Sequence, residues 1–122
     1  MGQELLEVGL NNNYYYQRTP RKFFLATSST GLRAVRGSAS KVYTHACIAT
    51  KRSEWGWVTN LWSSRADLAE RNARSYTKHY SESGITFEAV EVKEITAKEA
   101  RQIKKEIWKE VENYKTTNPK GE

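Results

Sequence analysis

The chain has 122 residues, 38% of them hydrophobic, which fits one globular domain with a modest core and argues against global disorder. No apolar run approaches the roughly 20 residues of a membrane-spanning helix, and Glu4 and Glu7 stand where a signal peptide carries basic residues, so a cytoplasmic protein is expected. The formal charge of +6 is uneven, with net +5 on residues 1–64, net +1 on residues 65–122 and no Asp or Glu from Gly9 to Ser53, a field that favours polyanions or an acidic protein surface.

Residues 1–13 read as a flexible lead-in, residues 14–115 as a single α+β domain, and residues 116–122 as a disordered tail with nothing to bury. The run Tyr14, Tyr15, Tyr16 cannot face wholly inward on a strand, because successive side chains alternate faces. It reads either as a strand with aromatic positions on both sides or as a platform for stacking bases beside Arg18 and Arg21. Lys22 to Ser28 is rich in strand formers, Ser29-Thr30-Gly31 is a turn signal, and Leu32 to Arg36 returns as a basic hairpin arm.

Val42 to Thr50 is small or apolar on both faces, the pattern of a central strand. A turn at Lys51 to Glu54 leads to a second strand over Trp55 to Trp62, with Gly56 marking a bulge or a close approach. Ser64 as N-cap and Asp67 three residues on predict a helix start. Ala69, Ala73, Tyr76 and Tyr80 form its buried stripe. Thr86 to Ile95 is a strand whose alternation slips at Ala89-Val90, the mark of a bulge or a fully buried midpoint. Thr96 and Glu99 form a capping box for a last helix that buries Ala100, Ile103, Ile107, Val111 and Tyr114 and leaves a mixed charged face in solvent. The expected fold is α+β and two-layer, a mostly antiparallel sheet of four to five strands with both helices on one face, in the order β-β-β-β-α-β-α. Its other face is then open and basic.

No motif points to catalysis. His45 and Cys47 lie two apart on one strand face, but a catalytic thiolate needs an electropositive, partly exposed site and an orienting third group. His45 reads better as a core or hydrogen-bonding histidine. One cysteine and two distant histidines, His45 and His79, make no metal site and no disulfide, and no cofactor is expected. The basic, aromatic half carries more weight. Sheets that bind RNA stack bases on exposed aromatic rings and surround them with Lys and Arg. The candidate partner-binding residues are Arg18, Arg21, Arg33, Arg36, Lys51, Arg52, Trp55 and Trp57. The bland alternative is tryptophans in the core and charges that only solubilise.

The run VYTHACIA (Val42–Ala49), preceded by the Ser/Thr-Gly turn, the basic arm and Ser38 and followed by WSSRADLAERNARSY, resembles small bacteriophage-encoded proteins with a Tyr-Thr-His-Ala strand, a second strand and an Ala-rich helix. The resemblance covers residues 25–80. It implies a phage or mobile-element context, hence the host cytoplasm. Small phage proteins without catalytic motifs are often inhibitors of host enzymes or defence complexes. Two functions are therefore expected: a non-catalytic protein engaging nucleic acid or a nucleoprotein complex, or an anti-CRISPR-like inhibitor covering an acidic host protein surface. A homodimer through the hairpin edge stays open.

Overall fold

A computed structural model describes residues 22–117. The elements are β1 (Lys22–Thr27), β2 (Arg33–Ser38), β3 (His45–Ala49), β4 (Asn60–Ser63), α1 (Ala66–His79), a 3-10 turn (Ser81–Ser83), β5 (Phe87–Glu91), β6 (Lys93–Ile95) and α2 (Ala97–Thr117). The α+β class is as expected. The single sheet is not: the strands form two three-stranded antiparallel sheets, ordered β2-β1-β6 and β4-β3-β5.

The first sheet grows from the β1–β2 hairpin, whose register runs from Lys22 opposite Ser38 to Thr27 opposite Arg33. Its turn closes with Gly31 N–H donating to Ser28 carbonyl, and Gly31 adopts φ +92°. In the second sheet β3 is central, as its two apolar faces predict, and Ala46, Cys47, Ile48 and Ala49 are all buried. The expected strand over Trp55 to Trp62 is a strand only from Asn60; Trp55 and Trp57 belong to the loop before it.

Thr86 to Ile95 explains why there are two sheets. Its first part, β5, pairs with β3, and its last part, β6, pairs with β1. The break falls at Val92, between the two strands, and not at the predicted slip at Ala89-Val90. Val92 N–H still donates to Thr44 carbonyl at 3.0 Å, so the chain changes partner without orphaning that donor. Between the sheets lie Ala26, Ala34, Ala46 and Ile48, with Val90 and Val92 packed against them. Glu88 on β5 ties the hairpin turn to the second sheet by accepting from Ser29 N–H and Ser29 Oγ.

Each helix covers a different sheet, in place of the shared face expected. α1 packs on the second sheet, where Cys47, Ala49, Ala73, Ile85 and Phe87 form a core with Tyr76 and Tyr80 against it. α2 packs on β1 and β2. The Thr96–Glu99 box forms in full: Thr96 N–H donates to Glu99 Oε1 at 2.9 Å, and Glu99 N–H to Thr96 Oγ1 at 3.1 Å. The box expected at Ser64 and Asp67 does not form. Arg65 is the N-cap of α1 and has no side-chain cap bond. The Ser63 hydroxyl, buried at the end of β4, closes the strand-to-helix turn on Arg65 instead, and the Asp67 carboxylate turns to the Arg65 guanidinium.

The expected lead-in, the tyrosine run, Arg18, Arg21 and most of the expected tail lie outside the described residues. α2 itself continues to Thr117. Among the described residues, no helix is long and apolar enough to cross a membrane.

Candidate binding surface

Among the described residues, the exposed tryptophans Trp55, Trp57 and Trp108 lie on α2 and the loop between β3 and β4. The loop reverses on itself: Gly56 N–H donates to Ser53 carbonyl, and Ser53 N–H to Trp57 carbonyl, both at 2.9 Å. Gly56 adopts φ +93° and is buried against Val111 and Tyr114 of α2. Arg52 completes the turn, donating through Nη1 to Gly56 carbonyl at 3.0 Å and through Nη2 to Glu110 at 3.2 Å. Its guanidinium also lies over the Tyr114 ring.

Arg33 reaches α2 from the outer face of β2. It donates through Nη1 to Glu106 at 2.9 Å and through Nη2 to Glu110 at 2.8 Å. Glu110 thus accepts from one arginine of the hairpin and one of the loop. Glu106 sits below its ordinary carboxylate pKa because Gln102 and then Arg33 bond to its ionised form. These contacts fix the loop against the helix and bring Trp57 to Trp108, with ring centroids 5.7 Å apart and planes tilted by 53°. Trp57 and Trp108 remain 47% and 56% exposed. Beside them opens a groove of about 310 Å³, lined by Val35, Trp57, Val58, Lys104, Ile107 and Trp108 among others.

The sequence-derived candidates therefore separate. Arg33, Arg52 and Trp57 converge on α2, but both guanidiniums are held by carboxylates of the chain. Arg36 lies over the Tyr43 ring, on the other side of β2 from Arg33. Lys51 is exposed near Gly84, and Trp55 is an exposed loop residue. A second hollow of about 340 Å³ opens at Lys41, Tyr43, Trp62 and Leu68. Among the described residues, the outer face of each sheet carries a helix, so the open basic sheet face of the sequence reading is not found there.

What sequence reasoning passed over is the charge of α2. Its six basic and four acidic residues look balanced along the chain. In the fold, Glu106 and Glu110 are taken up by Arg33 and Arg52, and Glu99 by its cap on Thr96. Glu112 lies 3.7 Å from Lys115. Lys98, Arg101, Lys105 and Lys109 are all exposed, without an ion pair among the described residues. Their spacing of three, four and four puts them on one helical stripe beside Trp108. That spacing was readable in advance; the removal of the acids was not.

The strand that drew a catalytic reading is closed. Burial pushes the Cys47 thiol up to about 11, so it stays protonated near neutral pH. His45 Nδ1 shares a 2.8 Å hydrogen bond with the Thr44 hydroxyl. No cluster of three or more His, Cys, Asp or Glu able to hold a metal occurs among the described residues. No family model matches the chain, and neither does any curated protein or solved structure.

Proposed function

We propose that the chain is a non-catalytic, phage-encoded binding protein that engages nucleic acid or a nucleoprotein complex of the host. The observation that carries this reading is the charge arrangement on α2. Arg33 and Arg52 neutralise the helix's inward carboxylates, which leaves Lys98, Arg101, Lys105 and Lys109 as a stripe beside exposed aromatic rings. A line of cations exchanges its counterions for phosphates, and aromatic faces accept bases. The protonated Cys47 thiol supports the non-catalytic part, since the strand then offers no thiolate nucleophile.

The test is anisotropy titration of labelled single-stranded RNA and of duplex DNA with the whole chain at low salt. Binding that weakens steeply as salt rises is the expected result. Failure of both at low salt removes the nucleic-acid reading. One observation then favours an inhibitor that covers an acidic host protein: Trp57 and Trp108 form a contiguous exposed aromatic patch, and tryptophan is enriched among residues that dominate protein interfaces. A pull-down from host lysate that survives nuclease treatment would support that second reading.

A further inference from the structure

We infer that the nucleic acid held by α2 is single-stranded, its phosphates following Lys98, Arg101, Lys105 and Lys109 and a base lying on the exposed ring of Trp108, beside Trp57. The inference rests on the nucleic-acid reading above and adds the form of the ligand.

Three features converge on a single strand. The first is a cation track: Lys109 lies eleven positions beyond Lys98, which at about 1.5 Å of rise per position makes a straight line of about 17 Å. The second is that the carboxylates of α2 are engaged elsewhere: Glu106 with Arg33, Glu110 with Arg33 and Arg52, Glu99 on its Thr96 cap, and Glu112, just past the end of the track, 3.7 Å from Lys115. The third is aromatic. Trp108 lies one helical turn from Lys104 and Lys105 and faces solvent over more than half its surface. The groove beside it has apolar walls at Val35, Val58 and Ile107 and a cationic rim at Lys104.

A duplex offers phosphates to the track but keeps its base faces stacked inside, so the tryptophans gain nothing from it. An unpaired base presents both a π-face for Trp108 and a flat apolar body for the groove. Any base has such a face, so this contact discriminates strandedness more than sequence.

The test compares a labelled 12-nucleotide oligothymidine with a 12-base-pair duplex, by anisotropy and by quenching of tryptophan fluorescence. The single strand is expected to bind at least about tenfold more tightly, and Trp108→Ala to weaken it about tenfold while leaving the duplex unchanged. Trp108 is largely exposed, so the variant keeps the fold, which circular dichroism checks. Each of Lys98→Gln, Arg101→Gln, Lys105→Gln and Lys109→Gln should flatten the salt dependence of log K for the single strand by about 0.7. A duplex that binds as tightly as the single strand, or a Trp108→Ala variant with unaltered single-strand affinity, overturns the single-strand inference and leaves nucleic-acid binding standing. No binding of either oligomer at low salt overturns both.

Discussion

At the scale of residues, two glycines share nearly the same positive φ and differ in their surroundings. Gly31 has φ +92° and nothing within 4 Å of where a Cβ would sit. Gly56 has φ +93°, and a Cβ there would come within 3.3 Å of the Val111 carbonyl oxygen, Val111 Cγ1 and Tyr114 Cδ2. An L-residue in the left-handed region costs about 1–2 kcal/mol by itself. Gly31→Ala should show that strain alone. Gly56→Ala should lose more, because the loop must also lift from α2. Urea denaturation of the two variants gives the comparison; equal losses would mean that the loop is not seated on the helix. The seat matters for binding, since Gly56 lets the chain turn tightly enough to set Trp57 against Trp108.

At the scale of elements, α2 is held by one carboxylate serving two arginines. Glu110 accepts from Arg33 and Arg52, so Glu110→Gln removes both ion pairs and should cost about 1 kcal/mol, as partly exposed pairs of this kind each contribute a few tenths to one. Acid should act in the same direction. The Glu106 carboxyl titrates below its ordinary value because Gln102 and Arg33 bond to its charged form. Its contribution is therefore complete above the unfolded carboxylate pKa and is lost as pH falls through the lower folded value. The melting temperature should drop between about pH 6 and about pH 3, and drop less in Glu106→Gln.

Both arginines were visible in the sequence as candidates, and the Glu106–Glu110 spacing put both acids on one helix face. Their pairing was not visible, because it joins residues 58 to 77 positions apart. Helices and caps at α2 were legible because they depend on neighbours within four residues. The N-cap of α1 falls at Arg65, one position after the expected Ser64, because where the helix starts depends on where β4 ends and on Ser63 closing the turn between them. The loop bearing Trp55 and Trp57 read as strand because alternating large and small residues satisfy the same local pattern; contact with α2 overrode it.

At the scale of the whole molecule, the two sheets depend on small residues where they meet. Thr86 to Ile95 passes from one sheet to the other at Val92, so the sheets are joined by a strand as well as stacked. The slip in alternation at Ala89-Val90 reads as a bulge or buried midpoint within one strand, and nothing local says that the two halves of the segment pair with different partners. The stacking requires close approach, and the facing positions supply it: Ala26 and Ala34 are register partners in the first sheet, and Ala46 faces them from β3. Ala26 and Ala46 have no exposed surface at all. Ala46→Leu would add three carbons to a filled space, which costs typically about 1–3 kcal/mol through displaced backbone and strained rotamers. Ala66→Leu, at the exposed first position of α1, is the matched control and should change stability by less than about 0.5 kcal/mol. Urea midpoints for the pair measure the difference. If Ala46→Leu proved as harmless as the control, the sheets would not be in contact there, and Val92 would be a hinge between two independent layers. If it is destabilising as expected, the small residues between the sheets hold β1 and β2 in place, and with them the surface on which α2 presents its cations.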